Sequence, residues 1–453
     1  MKTKLDLLRE FYSGKWYPLI VAALVVIGNG AGIEVPLFAV LVATFFVGCL
    51  IAYDFRFALT PFLCTVFFVS PKNAPNITVF REHFSKPSVL ISLVISFGLL
   101  AAGILIFVIR NRRRRNSMPW KGFFLSMAIW CVALALNGLL NPAYTVQNFV
   151  YALNFPLVLL LIYLLFALYV RFDAGAFDYF MYTLMLAGVV IAAEIVLRYL
   201  FGNVIVDGAI VKENVVLGWA VWTTAGGMLA FAMPACFYFA ATHRNGWAFY
   251  ILGLLEFFCV LLSQSRGALL VGAVVLLISI VVLCVWGPNR KDNRWITLIL
   301  GLIGMIGIAL LWDKVIAVLQ NFLERGFNDN GRFALWEAGW TKFCEHPILG
   351  AGFYDNGIVS DWDIQIYPFF YHNTVIQMLG SVGVVGLLAY LWHRFTTVRR
   401  VFRKPTLYKT YLGLCLLACI GFCMLDVMFF ITYPLIFYTL ILLFMEQSDA
   451  PRT

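Results

Sequence analysis

Residues 263–287 read SQSRGALLVGAVVLLISIVVLCVWG, and this stretch decides the class of fold. After Arg266 it carries no charged residue and is almost wholly apolar. A transmembrane helix needs about 20 predominantly apolar residues to cross the hydrocarbon core of a bilayer. The stretch therefore predicts a membrane-spanning helix that follows a short polar turn.

Similar apolar runs recur along all 453 residues, of which 62% are hydrophobic and only 12% charged. Soluble domains carry about 25% charged residues. Only helices or closed barrels satisfy their backbone groups in lipid, and barrel strands alternate polar with apolar residues. We therefore expect one all-α integral membrane domain over residues 1–453, a polytopic transmembrane bundle of about 12–14 spans. The runs lie near residues 16–31, 33–53, 57–71, 88–110, 119–140, 150–171, 177–201, 214–242, 246–264, 267–287, 295–316, 373–395, 407–425 and 427–446.

Lysine and arginine predict the orientation, because short positive loops stay in the cytoplasm. The basic segments are the N-terminus and residues 110–116, 289–294 and 393–404. On the opposite side lie the uncharged residues 137–148 and one large extracytoplasmic loop at 317–371. Both termini are then cytoplasmic. This bias accounts for most of the net charge of +10, so we do not interpret that charge as nucleic-acid binding.

Arg266 is unusual because it lies in a turn that the predicted orientation places outside the cell. The preference for positive residues in cytoplasmic loops does not explain an arginine there. Charged residues at membrane depth are costly and are usually functional or paired. The alternative is that the side chain reaches the outer headgroups.

The external loop carries a second candidate in residues 328–353, NDNGRFALWEAGWTKFCEHPILGAGF. Aromatic side chains recur on one helical face, which predicts an amphipathic helix near 331–345 on the outer membrane surface, with Asn330 as its N-cap. Arg332 falls in the first turn, where free backbone N–H groups already favour an anion and a guanidinium suits phosphate.

A third candidate opens the apolar helix in residues 370–386, FYHNTVIQMLGSVGVVG. A neutral His372 imidazole can accept a proton near neutral pH, and Asn373 can cap the helix and orient a substrate hydroxyl. The alternative is that the pair only caps the helix.

Other charged residues leave two interpretations each. Arg198 lies one turn beyond Glu194, so the two can neutralise each other at the outer boundary, or Arg198 can line a groove for lipid. Asp361 and Asp363 resemble the acidic pair that holds a metal in nucleotide-sugar transferases. Nucleotide sugars are scarce outside the cell, however, and the two arginines can neutralise a phosphate group without an ion.

Four motifs together resemble the O-antigen ligase and O-antigen polymerase superfamily of bacterial lipid-linked glycan transferases. They are the SRG turn at Ser265–Gly267, the GRxxxW and HPILGAGF motifs of the loop, and the pair His372–Asn373, which we call the HN pair. The resemblance covers residues 214–395. The N-terminal half is similar only in being a bundle of spans. Order, spacing and outward placement of the motifs carry the resemblance.

The resemblance implies a GT-C-like bundle in the bacterial cytoplasmic membrane, with its active site facing outside. The implied donor is a glycan on undecaprenyl pyrophosphate, and the acceptor is a glycan or lipid-linked sugar. Arg266 and Arg332 would hold the pyrophosphate. Asn373 and Arg198 are added as substrate-binding candidates from the residue arguments above, not from the resemblance. His372 would position or deprotonate the acceptor hydroxyl, with inversion at the anomeric carbon. Besides membrane lipids, no other partner, cofactor, metal or nucleic acid is implied.

Two other classes of function remain open on the sequence. A polysaccharide flippase or transporter is also a basic-inside bundle, but it usually has charged or broken helices near the midplane and related halves. A scaffolding role would leave the three candidate motifs apart in space. Between ligase and polymerase the sequence favours neither, although we lean towards a capsular or exopolysaccharide enzyme.

Overall fold

The predicted fold class is confirmed, because the chain is an all-α bundle with a single two-residue strand pair among the residues that the structure describes. The computed structural model describes residues 3–31, 33–65, 86–206, 209–215, 217, 221–310, 312–313, 316, 331–354 and 368–449. Asn330, Asp361 and Asp363, and the end of the predicted span 57–71, lie outside the described residues.

The helices of the N-terminal half are α1 Lys4–Ser13, α2 Trp16–Ala31, α3 Glu34–Ile51, α4 Leu59–Cys64, α5 Pro87–Asn111, α6 Phe123–Ala135, α7 Val146–Tyr169 and α8 Ala174–Phe201. A hairpin of Ile205–Val206 and Ala209–Ile210 follows. The helices of the C-terminal half are α9 Trp222–Thr242, α10 Gly246–Leu262, α11 Arg266–Val285, α12 Arg290–Leu310, α13 Arg332–Glu345, α14 Thr374–Phe402, α15 Leu407–Cys423 and α16 Thr432–Gln447.

Seven of these helices are long and apolar enough to cross a membrane alone, within the described part of the chain. They are α5, α7, α8, α9, α11, α12 and α14. The pair α1 and α2, bent by 66°, makes an eighth if it counts as one span. Each predicted run contains a helix within the described residues, but several of these helices, such as Phe123–Ala135, are shorter than a bilayer requires. The total of 12–14 spans therefore stays a prediction.

The basic segments share one end of the bundle, which we call the basic end. Side chains join them through contacts of Arg9 with Ile51, Arg56 with Asp173, Tyr238 with Asp178, Asn289 with Ala240 and Lys409 with Asp449. The predicted outer segments, 137–148 and α13, lie at the other end with the start of α14. The structure thus separates the two sets, and which side of the membrane each faces stays a prediction.

Helix α14 is broken one turn inside its start. Met378–Val382 form a π turn, and Gly383 follows with φ 72° and ψ −166°, a conformation open almost only to glycine. Residues 347–352, which we call the strap, run alongside the break and satisfy its backbone groups. Ala351 N donates to Gly380 O (2.8 Å), Gly352 N to Ser381 O (3.0 Å) and Val384 N to Pro347 O (2.9 Å).

Glycines permit this close approach of two backbones. A Cβ on Gly350, whose φ is 69°, would lie 2.3 Å from the carbonyl carbon of Ser381. A Cβ on Gly383 would lie 2.3 Å from the carbonyl oxygen of Ile348. The motif HPILGAGF and the glycines of α14 are therefore two halves of one backbone contact, which we call the α14 lock.

We predict that Gly383→Ala destabilises the protein by about 2–5 kcal/mol, because it adds backbone strain and overpacks the α14 lock. The matched control is Gly304→Ala in α12, where a Cβ meets nothing within 4 Å and helix propensity improves. Thermal unfolding of both variants in one detergent, followed by tryptophan fluorescence, measures the effect. Equal midpoints for the two variants would contradict the role given to the lock.

Candidate functional site

The start of α14 carries a histidine held by a buried carboxylate. His372 Nδ1 lies 3.0 Å from Asp426 Oδ1, in the connection between α15 and α16. The His372 side chain is 39% exposed and the Asp426 side chain only 8%, so the imidazole is accessible while its partner is shielded. Asp426 also accepts a hydrogen bond from Val427 N (2.8 Å). The carboxylate is thereby fixed and can orient the imidazole.

His372 has a left-handed backbone conformation with φ 51°. Such conformations are uncommon outside glycine and are often found where tertiary structure imposes them at functional sites. With Nδ1–H donated to Asp426, Nε2 is the basic nitrogen of the neutral ring. No hydrogen bond to Nε2 is present among the described residues, so this nitrogen is free to accept a proton there.

Asn373 confirms the predicted helix cap. Its side-chain oxygen accepts from Val375 N (2.9 Å) and Ile376 N (3.2 Å), and its amide donates to Met424 O (3.0 Å). The Thr374 hydroxyl donates to Cys423 O (2.8 Å). The cap therefore also ties the start of α14 to the end of α15, next to Asp426.

Gln377 bonds the backbone of the segment that precedes the HN pair. Its buried side chain accepts from Tyr371 N (2.8 Å) and donates to Phe369 O (3.0 Å) and to the Ser381 hydroxyl (2.8 Å). A buried amide with both ends bonded fixes the segment that precedes His372. Its bond to Ser381 also links this segment to the π turn of the α14 lock.

Arg266 lies at the first position of α11, where Ser265 caps the helix by accepting from Ala268 N (3.3 Å). The arginine is half-buried. The next residue, Gly267, packs on the loop that carries Asp426, since a Cβ there would lie 3.4 Å from Leu425 Cδ1. The SRG turn and the HN pair thus contact the same short connection between α15 and α16.

Arg332 is the first residue of α13, Arg332–Glu345, in the region where the sequence predicts a helix near 331–345. The N-cap position is occupied by Gly331 in the left-handed conformation (φ 77°), and the predicted cap Asn330 lies outside the described residues. Gly339 packs on Tyr371 and Ile376, where a Cβ would lie 2.4 Å from Ile376 Cγ2. Arg332 is therefore two turns, roughly 10 Å along the axis, from the contact with the HN segment.

The exposed face of α13 is aromatic. Phe333 is 64% exposed and Trp340 53% exposed, and each pairs with a neighbouring ring of the same helix, at 5.3 Å between centroids. The side of α13 away from α14 thus suits the outer membrane surface, as the amphipathic pattern predicts.

Arg198 lies near the same end of the bundle. It is buried beside Glu194 and Asn29 around a small pocket of about 20 Å³. Asn29 Nδ2 donates to Glu194 Oε1 (2.5 Å), so Glu194 has a neutral partner that the sequence did not indicate. Tyr199 donates to Leu262 O (2.6 Å), which links this helix end to the residues just before the SRG turn.

The predicted uncharged outer segment supports the site from a third side. Asn141 donates to Ala351 O (2.8 Å), and Tyr354 N donates to Asn148 Oδ1 (2.8 Å). The side-chain amides of these asparagines therefore bond the backbone of the strap at Ala351 and of Tyr354 just beyond it. The strap is held between residues 137–148 and the break in α14.

Asp426 is the residue that sequence reasoning missed. It is the only charged residue between Lys409 and Glu446, and it lies at the boundary of two apolar runs. The argument that singled out Arg266, a charge at the membrane boundary opposite the basic segments, applies equally to Asp426. Its pairing with His372, across 54 residues, is visible only in the fold.

Comparison with known proteins gives a family match for part of the chain. Residues 251–391 match a family model described as O-antigen ligase, and the match covers about a third of the chain. It contains Arg266, Arg332, His372 and Asn373, whereas Arg198 and Asp426 lie outside it. No curated protein matches the chain significantly. The resemblance to the O-antigen ligase and polymerase superfamily is thereby confirmed.

We predict that Asn373→Ala destabilises the protein more than Asn373→Asp does. Loss of the cap costs about 0.5–2 kcal/mol, and loss of the bond to Met424 O adds about 1 kcal/mol. Aspartate keeps the cap acceptor and loses only the donor. Unfolding midpoints in detergent, with Asn245→Ala as a control at a helix start without a side-chain cap, compare the variants. A midpoint of Asn373→Ala equal to that control would rule out the cap's contribution.

Proposed function

We propose, on the premise of the O-antigen ligase match, that the protein transfers or polymerises a glycan from undecaprenyl pyrophosphate onto an acceptor sugar hydroxyl at the outer face of the bacterial cytoplasmic membrane. The observation that carries the proposal is the contact of His372 with Asp426 on a connection that also touches the SRG turn. An accessible base and two arginine-bearing motifs gather at the end of the bundle away from the basic end.

In the proposed reaction, the acceptor hydroxyl attacks the anomeric carbon from the face opposite the pyrophosphate. A C–O bond forms to the acceptor, and the bond from the anomeric carbon to the pyrophosphate oxygen breaks. The hydroxyl proton passes to His372 Nε2, and Asp426 stabilises the resulting imidazolium through Nδ1–H. Undecaprenyl pyrophosphate leaves, and the anomeric configuration inverts.

Arg266 and Arg332 are the proposed donors to the pyrophosphate. Each stands at the first position of a helix, where free backbone N–H groups and the helix dipole favour a negative group. A guanidinium adds two parallel hydrogen bonds to phosphate oxygens. Charge that develops on the leaving group is stabilised by these donors, so the proposal includes no metal.

The position of the break in α14 favours glycan transfer over the alternative of a flippase or transporter. Transporters gather charged or broken helices around a site near the midplane. Here the break in α14 lies near the helix start, and the strap of residues 347–352 fills it. The accessible polar groups are at the helix mouth, where a substrate at the membrane surface can reach them. Arg198, at the same end, is kept as a proposed contact to the donor.

We predict that His372→Ala lowers single-turnover transfer by roughly 10²–10⁴ and leaves donor binding nearly unchanged, because the base acts only in the chemical step. Arg266→Ala and Arg332→Ala lower transfer by roughly 10²–10³ and also weaken donor binding. Lysine rescues either arginine only in part, since it lacks the bidentate fork. Asp426→Asn lowers transfer without weakening donor binding. Transfer is measured in nanodiscs on a lipid-linked glycan with excess chelator.

His346→Ala is the matched control, because His346 lies at the end of α13, outside the contacts of the HN pair. If a well-folded His372→Ala variant transfers glycan at close to the parent rate, the HN pair serves only as a helix cap and the proposed site is wrong. Activity that appears only after manganese or magnesium is added would contradict the metal-free part of the proposal. A ladder of product sizes distinguishes polymerisation from ligation.

We predict that a membrane-impermeant maleimide labels native Cys344 in intact spheroplasts. Cys344 is the only exposed cysteine; the other nine are buried or, in the case of Cys284, half-buried. A Lys404→Cys variant in a Cys344→Ser background should react only after permeabilisation, and the Cys344→Ser parent should not react at all. Labelling of Lys404→Cys in intact spheroplasts would reverse the orientation and, with it, the proposed site of reaction.

A further inference from the structure

The basic end of the bundle contains a second polar cavity, which we call the basic cleft. Three segments line it: residues 118–121 before α6, residues 400–404 at the end of α14 and residues 446–449 at the end of α16. Its volume is about 460 Å³. Ligand pockets in proteins are typically about 300–1,000 Å³, so the cleft is large enough for a small polar ligand or a lipid headgroup.

The carboxylates in the floor of the basic cleft are paired with cations. Arg400 pairs with Glu446 and lies 3.3 Å from Asp449, and Lys409 lies 2.9 Å from Asp449. Glu446 also accepts from the Tyr163 hydroxyl and from Phe123 N. The two carboxylates therefore have their own cations and donors, and they do not offset the charges on the rim.

The rim carries positive charges without such compensation. Lys121, Arg403 and Lys404 are exposed, and within the described part of the chain their side chains make no ion pair and no hydrogen bond. Three uncompensated cations around one cavity favour a ligand that carries phosphate.

An apolar stripe leads away from the cleft. Trp120 on the rim is 63% exposed, and it packs edge-on against Phe124 at 5.6 Å between centroids. Along α6 from that point, Leu125, Ile129 and Val132 are exposed at helical spacing, with exposed fractions of 52%, 42% and 61%. Tryptophan is enriched at the level of the headgroups, and such a stripe suits acyl chains.

We infer that the basic cleft binds the phosphate headgroup of an anionic phospholipid, with the acyl chains along Leu125, Ile129 and Val132. A soluble phosphate compound would use the same cations but would gain nothing from the stripe. Basic pockets at the cytoplasmic ends of transmembrane helices are known to take acidic lipid headgroups. The cleft lies at the opposite end of α14 from His372, so the inference is separate from glycan transfer.

The test is a titration of the purified full chain with phosphatidylglycerol in phosphatidylcholine micelles, followed by native mass spectrometry. The variant is Lys121→Gln/Arg403→Gln/Lys404→Gln. Each cation near the headgroups contributes about fivefold to the affinity, so the triple variant should bind phosphatidylglycerol on the order of 100-fold more weakly. The matched control, Arg112→Gln/Arg113→Gln/Arg115→Gln, removes three exposed arginines elsewhere at the same end and should bind like the parent.

Equal weakening in the two triple variants would mean general attraction to negative lipid and would overturn the inference. Displacement of the lipid by millimolar glycerol phosphate would overturn it in favour of a soluble phosphate ligand. Retention of phosphatidylglycerol by the control and the parent in the presence of glycerol phosphate supports the lipid site. The assay involves no glycan, so its failure would leave the proposed transfer activity unaffected.

Discussion

The arrangement of the candidate site depends on one constraint, the satisfaction of backbone hydrogen bonds where α14 is broken. A break in a membrane helix frees N–H and C=O groups that lipid cannot satisfy, so another part of the protein must bond them. Here the strap of residues 347–352 supplies the partners, and it approaches closely because Gly350 and Gly383 have no side chain. The break and the strap therefore exist only together.

The α14 lock also positions the segment that carries His372. It holds the end of the large loop against the start of α14. On the other side, Asn141 bonds the strap at Ala351, and Asn148 bonds Tyr354 just beyond it. Gln377 joins the π turn to the segment before His372. The imidazole thus stands on a rigid support although a long loop precedes it, and rigid support is what a positioned base requires.

The molecule divides its polar chemistry between two ends. At the end that contains the HN pair, His372 is paired with Asp426, and Arg266 and Arg332 each begin a helix, an arrangement that suits one negatively charged substrate. The basic end has many cations around neutralised carboxylates such as Glu446, which suits contact with an acidic lipid surface. Helix α14 joins the two ends, with His372 just before its start and Arg403 just after its end.

The sequence alone determined the membrane class, the apolar helices, the amphipathic helix α13 and the cap at Asn373, because each of these depends on residues close together along the chain. It also indicated Arg266, Arg332 and His372 through their motifs, although it did not show what they contact. Asp426, Gln377 and the strap became visible only in the tertiary structure. Their contacts join segments far apart in sequence, as in the 54 residues between His372 and Asp426, and no helical or hydropathic period reports such a contact.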